Sequence, residues 1–258
     1  MNFILFSWFC CVAMKHIPNI DSMKESFTNE FNSFYTGSTL FDLYTCQWNS
    51  KKQAGFMALY NSELDTLFIA FRSTSTVLDY IYDLDIRLYP WPYKCHECKK
   101  KYTPISQLFN VRLHNGFLSK YHHIRDVLHE FLDSYKHSKI VFTGHSLGGA
   151  LAQIAALDIA MTFHTRNSVV TFGSPKVGTR TFATMLEKYV SIYRIAHPKD
   201  IVTSLPFHPR YFHAGNNKKV HDIQVLAYNI LLFTYSGQHH SGFHRQHIYH
   251  DYLKNISV

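Results

Sequence analysis

A serine between two glycines is the side chain in this sequence best placed to act as a nucleophile. Residues 144–148 read Gly-His-Ser-Leu-Gly and fit the pattern G-x-S-x-G, with Ser146 at its centre. The β-branched run 140–143 precedes the motif and the apolar run 150–163 follows it, which predicts a strand, a sharp turn and a helix that opens near Leu147. Backbone N–H groups at such a helix start, Leu147 N–H first among them, can stabilise a developing oxyanion. We therefore expect Ser146 to attack a carbonyl carbon.

A serine hydroxyl becomes reactive when a base takes its proton, and that base is usually a histidine oriented by a carboxylate. Proteins with this turn carry the three groups in the chain order serine, acid, histidine. Asp200 follows a predicted strand over 191–196 and is the preferred acid, with Asp222 as its competitor. Asp158 lies in the helix after the motif, and we interpret it as a helix or surface residue without a catalytic role.

The histidine is the least determined member of the site, because the chain contains 18 histidines. His247 opens a predicted last helix over 248–253 and is the preferred base. His244 and His250 are the alternatives, since a loop or helix start near the end of the chain could also bring either of them to Ser146.

The surrounding segments alternate between strand and helix patterns. A helix is predicted over 117–135, where apolar residues recur every three or four positions. Strands are predicted over 55–60, 66–71, 140–143, 169–172 and 190–196. This alternation predicts an α/β fold whose central sheet is mostly parallel and flanked by helices. No repeat or linker divides the sequence, so we expect one domain over residues 1–258.

A long stretch over 76–110 interrupts this pattern. It is aromatic, contains proline and is predicted to be irregular; loops of this length are usually functional or disordered. It includes the C-x-x-C pair Cys95 and Cys98, but no second pair follows at the spacing of a zinc site. A disulfide or free thiols are therefore favoured over a metal.

Composition and charge limit the partners. The net charge of +8 favours anionic partners, and the sequence contains no nucleic-acid motif, which leaves a solvated basic surface or attraction to acidic lipid surfaces. Residues 1–14 are strongly apolar but shorter than the roughly 20 residues that span a bilayer. They are interpreted as a signal or anchor segment or as a buried first helix, so the location of the protein, secreted or membrane-associated, stays open.

Five segments together resemble the class 3 lipase family, the fungal-type branch of the α/β-hydrolases. They are residues 68–74, 111–117, 144–150, 171–178 and 194–206. The resemblance implies that Thr74 completes an oxyanion hole with Leu147 N–H, that Asp200 is the triad acid, and that 76–110 holds a lid. Three positions depart from the family pattern: Ser73 replaces a glycine, Lys176 an arginine, and Gln246 stands where an acidic residue often precedes the histidine.

The predicted activity is hydrolysis of fatty-acyl esters, in acylglycerols or glycerophospholipids, through an acyl-enzyme. Ser146, Asp200 and His247 would be catalytic, a lipid–water interface would supply the substrate, and the mechanism needs no metal or cofactor. Two alternatives remain: a soluble esterase acting on small or aromatic acyl esters, and a lipase-fold protein that binds lipid without catalysis. The sequence leaves the oligomeric state open.

Overall fold

The computed structural model describes residues 41–49, 54–72, 85–91, 111–135, 139–196 and 201–215, and for 41–49 it gives the backbone alone. Within these ranges the strands are β1 (Phe41–Asn49), β2 (Ala54–Asn61), β3 (Thr66–Phe71), β4 (Leu88–Pro90), β5 (Arg112–His114), β6 (Lys139–His145), β7 (Arg166–Phe172) and β8 (Val190–Ile195). The helices are α1 (Asn115–Asp133), α2 (Leu147–Phe163) and α3 (Arg180–Tyr189), and a 3-10 helix covers Ile201–Ser204.

The larger sheet has the strand order β1-β2-β3-β6-β7-β8 within the described ranges. The first three strands pair antiparallel, whereas β3, β6, β7 and β8 run parallel. Parallel neighbours require a crossover; α1 lies within the crossover from β3 to β6, and α2 joins β6 to β7. The parallel strands therefore end at a common edge, where Phe71 pairs with Gly144 and His145 pairs with Phe172.

Helix α2 forms the centre of the core. It is apolar at most positions and buried from Leu147 to Ala160, and a helix that is apolar all round is expected to be buried all round. It packs on β6 and β7, between α1 and α3. Helix α1 has only one apolar face, and its buried residues include Leu118, Tyr121, Ile124, Leu128 and Leu132. The spacing that predicted this helix is thus the spacing of the residues that face the core.

A second, smaller sheet lies beside the common edge of the parallel strands. Strands β4 and β5 pair antiparallel, and two isolated bridges, Leu113 with Gly178 and Gly178 with Phe212, continue the ladder. Four segments that are distant in sequence are joined in this way. The segment after β7 and the segment after β8 are therefore fixed to the start of α1.

The α/β architecture with a mostly parallel sheet flanked by helices is confirmed. The prediction that 76–110 is irregular throughout is wrong at Leu88–Pro90, because these residues pair with β5. Strand β1 and helix α3 were not predicted. The predicted signal or anchor segment 1–14 lies outside the described residues, and both the lid and the single domain over 1–258 stay predictions.

Candidate active site

Ser146 occupies the sharp corner between β6 and α2. Its backbone has φ 51° and ψ −117°, in a region that residues other than glycine rarely adopt and that costs about 1–3 kcal/mol. The corner is held from both sides: Ser146 N–H donates to Phe172 O at 2.9 Å, and Ala150 N–H donates to Ser146 O at 3.1 Å. The chain thus turns through a strained residue that β7 and the first turn of α2 keep in place.

The glycines on either side of Ser146 are required by close backbone contacts. A Cβ built on Gly144 would lie 2.6 Å from Gly149 N and still closer to the Gly148 carbonyl group, and a Cβ on Gly148 would collide with Phe71 O. Any side chain at these positions would push α2 away from β3 and β6. The two glycines therefore allow the strand and the helix to cross closely at the corner.

The hydroxyl of Ser146 differs from most buried polar groups. Ser146 is only 1% exposed, and its Oγ has no hydrogen-bond partner among the residues that the structure describes. The hydroxyl also makes no cap hydrogen bond to α2. Buried polar atoms are nearly always hydrogen-bonded, so each exception needs an explanation. An Oγ kept available for a substrate carbonyl and a catalytic base is such an explanation.

Leu147 is the first residue of α2, and its side chain is 1% exposed. The first N–H groups of a helix have no acceptor within that helix, and the helix dipole adds partial positive charge there. A carbonyl oxygen that becomes negative when Ser146 attacks would meet this positive end. The predicted start of the helix at Leu147 is confirmed, and the role of its N–H as a donor to the oxyanion stays a prediction.

His145, next to the nucleophile, is not a candidate base. It is 7% exposed, and burial lowers the pKa of its imidazole to about 4. An imidazole with so low a pKa is a weak proton acceptor at neutral pH, whereas a general base works best with a pKa near the working pH. It is the last residue of β6 and precedes the corner, so it belongs to the sheet behind Ser146.

A hydrogen-bonded pair behind the corner links α2 to the segment after β7. Gln153 Nε2 donates to Ser174 Oγ at 2.8 Å and more weakly to Gly149 O at 3.3 Å, while Ser174 Oγ donates to Pro175 O at 3.2 Å. Gln153 and Ser174 are 2% and 0% exposed. This pair was not predicted, although a glutamine in an otherwise apolar helix indicates that a polar partner must lie against it.

Asp158 is buried, and the interpretation of it as a possible surface residue is wrong. It is 1% exposed and accepts hydrogen bonds from three side chains of α1. Tyr121 OH, Arg125 Nε and His129 Nε2 each lie 2.7 Å from Asp158 Oδ2, and Arg125 Nη2 lies 3.2 Å from Oδ1. Asp158 is the only charged residue in α2, and a charge on a buried helix needs partners, so the sequence did carry this signal.

The electrostatics of Asp158 follow from these contacts. Burial by itself would raise the pKa of the carboxyl group, but the hydrogen bond from His129 and the charge of Arg125 outweigh it and hold that pKa below its ordinary value. The carboxylate is ionised and can only accept hydrogen bonds, so Asp158 ties α2 to α1. Asp158 lies about three helical turns from Ser146, and its contacts give it a structural role.

The remaining predicted site residues lie outside the described residues. These are Thr74, Asp200 and His247, together with the alternatives Asp222, His244 and His250. Ser146 and Leu147 are thus the two members of the predicted site whose positions the structure gives. In the sequence, Asp200 falls between the end of β8 at Ile195 and the 3-10 helix Ile201–Ser204. Its role as the triad acid stays a prediction.

A serine on a strained strand-to-helix corner, at the carboxyl edge of a mostly parallel sheet, defines an α/β-hydrolase. The model of the family Lipase (class 3) matches residues 68–209, more than half of the chain. The chain belongs to this family.

Two curated relatives and one solved structure illustrate the likeness. The chain is 34% identical over 151 residues to Phospholipase A(1) DAD1, chloroplastic, of Arabidopsis thaliana, covering 54% of this chain and 33% of that protein. It is 30% identical over 157 residues to a lipase of Rhizopus niveus, covering 57% and 36%. It superimposes on a Rhizomucor miehei lipase propeptide complex with a TM-score of 0.61 and 22% identity, covering 83% of this chain and 64% of the other. The chain thus aligns with about a third of the length of these curated relatives.

Two kinds of feature are absent from the described ranges. None of their helices has both the length and the apolar character needed to cross a membrane. Nor do the described residues contain three or more histidine, cysteine, aspartate or glutamate side chains grouped so that they could hold a metal ion.

Proposed function

We propose that this protein is a serine carboxylic-ester hydrolase that cleaves fatty-acyl esters of acylglycerols or glycerophospholipids. One observation carries the proposal: Ser146 is held at a strained corner with a buried Oγ that no described residue engages. Strain and an unsatisfied hydroxyl both cost stability, and such costs are retained mainly at functional sites.

The reaction would proceed in two halves. Ser146 Oγ attacks the ester carbonyl carbon while His247 takes the hydroxyl proton, and the tetrahedral oxyanion is held by Leu147 N–H and Thr74. Collapse of this intermediate breaks the bond to the alcohol, which leaves with the proton from His247. In the second half, His247 takes a proton from water while the water oxygen attacks the acyl-enzyme. The fatty acid is released when His247 returns the proton to Ser146 Oγ. Asp200 orients the imidazole and stabilises its charged form.

Leu147 N–H can stabilise the oxyanion without a reorganisation cost, because the first turn of α2 is already ordered before the substrate binds. The hydrogen bond from Ser146 N–H to Phe172 O and the close contacts at Gly148 fix the direction of this N–H before substrate arrives. A preorganised donor of this kind is typically worth about 3 kcal/mol of transition-state stabilisation.

Substrate access requires a change around the nucleophile. Since Ser146 is 1% exposed, an ester carbonyl can reach its Oγ only after covering residues move. A lid within 76–110, opening at a lipid surface, would provide that movement and is part of the proposal. The names of the relatives, a phospholipase A(1) and a lipase, favour lipid esters over small soluble esters.

The test is active-site labelling with a fluorophosphonate probe, followed by a substrate panel. The native protein is expected to be labelled and to hydrolyse a short p-nitrophenyl ester, whereas Ser146→Ala does neither, with a loss of at least about 10⁴-fold in kcat. Ser134→Ala is a matched control, because this hydroxyl only donates to Phe131 O at the end of α1.

The outcomes separate the candidate functions. Equal labelling of native protein and Ser146→Ala would refute the assignment of the nucleophile. Folded native protein without labelling would indicate a lipid-binding protein. If Ser146 is labelled, the rate across the solubility limit of a triglyceride decides the substrate class: a jump supports a lipase, and smooth saturation supports a soluble esterase.

A further inference from the structure

Phe207 is the most exposed large apolar side chain among the described residues. It is 70% exposed and stands in the short turn formed by residues 206–210, here called the Phe207 turn. Ile86 lies next to this turn and is 51% exposed. Single apolar residues on a surface are common and need no explanation, so their surroundings decide whether these two have a function.

The Phe207 turn is tightly braced, although its tip is exposed. His208 N–H donates to Pro206 O at 2.8 Å and Tyr211 N–H donates to His208 O at 3.0 Å. Tyr211 OH donates to Ile86 O at 2.5 Å, which joins the turn to the segment before β4. The backbone around Phe207 is therefore already ordered. Inserting the Phe207 side chain into an apolar phase would cost the protein little conformational entropy.

The position of the turn relates it to Ser146. Lys176 N–H donates to Leu205 O at 2.8 Å, and Lys176 Nζ lies 3.4 Å from Pro206 O. Ser174, two residues before Lys176, is hydrogen-bonded to Gln153 of α2. A short chain of contacts thus connects the Phe207 turn to the helix that begins at the nucleophile.

The charge around the turn is positive. Arg210 is exposed, and the described stretch 201–215 contains no aspartate or glutamate. The acidic residue nearest the turn, Asp85 beside Ile86, is neutralised by its ion pair with Arg87. The whole chain carries a net charge of +8. An apolar side chain flanked by cationic groups fits an anionic lipid surface, where the ring enters the acyl region and the charges face the head groups. Phe207 and Ile86 alone are far too small for a stable protein interface, which buries about 800 Å² on each partner.

We propose that the Phe207 turn is the surface through which this protein docks on an anionic lipid–water interface. Phe207 and Ile86 are the apolar anchors, and Arg210 contributes the attraction to acidic head groups. Docking at this turn brings the carboxyl edge of the sheet, and with it Ser146, against the lipid that supplies the ester. The inference rests on the proposed function, since it assumes a substrate at a lipid surface.

The experiment measures sedimentation of the full chain with phospholipid vesicles. All proteins carry Ser146→Ala, so that the vesicles are not hydrolysed and binding is read independently of activity. Vesicles of phosphatidylcholine containing phosphatidylglycerol are expected to bind the parent protein. Phe207→Ser is expected to weaken this binding about tenfold or more, because burial of the phenyl ring is lost.

Leu64→Ser is the matched control. Leu64 is similarly exposed, at 54%, but lies in the turn before β3 at the opposite end of the parallel strands. Its replacement is expected to leave vesicle binding unchanged. Arg210→Gln is expected to reduce the preference for anionic over pure phosphatidylcholine vesicles, and added salt is expected to do the same to the parent.

The docking surface is refuted if Phe207→Ser and Leu64→Ser bind vesicles equally well, provided that thermal unfolding shows both folded. It is also refuted if Phe207→Ser instead abolishes a dimer in size-exclusion chromatography and leaves vesicle binding intact. Failure of the proposed function is seen separately, as absence of fluorophosphonate labelling in protein that retains Ser146.

Discussion

Helix α2 carries two buried polar sites that differ in one respect. At its start, Ser146 Oγ is enclosed and no described residue bonds to it. About three turns later, both oxygens of Asp158 accept hydrogen bonds from α1. Both residues are 1% exposed, so burial does not separate them. On this helix, therefore, the polar group with satisfied hydrogen bonds serves to hold two helices together, while the hydroxyl without a described partner is the one available to another molecule.

The largest expected effect on stability comes from removing the charge of Asp158. Asp158→Asn leaves the Arg125 guanidinium, whose side chain is 10% exposed, without its buried counter-charge. The free energy of unfolding is expected to fall by about 3–5 kcal/mol, measured by urea denaturation. Labelling of Ser146, corrected for the folded fraction, is expected to persist.

Asp126→Asn controls for this change on the same arginine. Asp126 Oδ1 lies 3.6 Å from Arg125 Nη1, but its side chain is 74% exposed, so stability is expected to change by no more than about 0.5 kcal/mol. If folded Asp158→Asn cannot be labelled at Ser146, the division between a structural and a functional site on α2 is wrong.

The next effect is a steric one at the corner. In Gly148→Ala the new Cβ meets Phe71 O and must displace α2 from β3. We expect a loss of about 1–3 kcal/mol in stability, as for an overpacked core, together with loss of fluorophosphonate labelling because Leu147 N–H is redirected. A stable and fully labelled Gly148→Ala protein would show that the contact does not define the geometry of the corner.

Buried histidines are a third kind of buried polar group, and they are expected to make the stability of the protein depend on pH. Burial lowers the pKa of His114, of His145 and of His213 from 6.5 to about 4 in the folded protein. Between these values the unfolded chain binds more protons than the folded one, so stability falls as the pH drops from 6.5 towards 4, by roughly 1 kcal/mol or more for each histidine.

Urea denaturation across this pH range measures the slope. His114→Asn is expected to reduce it, because one buried imidazole is removed, whereas His123→Asn, at an exposed position of α1, is expected to leave it unchanged. A stability that stays constant between pH 6.5 and 4 would contradict the burial of these imidazoles.

The smallest effect is expected at the hydrogen bond behind the corner. Ser174→Ala removes the acceptor of Gln153 Nε2 and is expected to cost about 1 kcal/mol. A double-mutant cycle with Gln153→Ala should recover most of this as coupling between the two side chains. Additive effects would show that the pair does not contribute to holding α2 against the segment after β7.

The sequence predicted the corner well because its requirements are local. The G-x-S-x-G pattern, the strand before it and the apolar helix after it lie within one short stretch, and each is confirmed. The lone charge in an apolar helix indicated that Asp158 needs buried partners, but the sequence could not identify Arg125 and His129, because they lie on a different helix. Strand β4 was missed for a similar reason: three residues become a strand only through pairing with β5.

The order of the strands in the larger sheet has a consequence for how the protein folds. The partners of β3 and β6, such as Thr66 and Lys139, are separated by the whole central part of the chain, and non-local pairing of this kind slows folding. During synthesis β3 is completed well before its parallel partner β6. Its apolar side chains therefore stay exposed until β6 and α2 have emerged from the ribosome. Production of this protein should therefore respond to chaperones and to low temperature more strongly than its core alone would suggest.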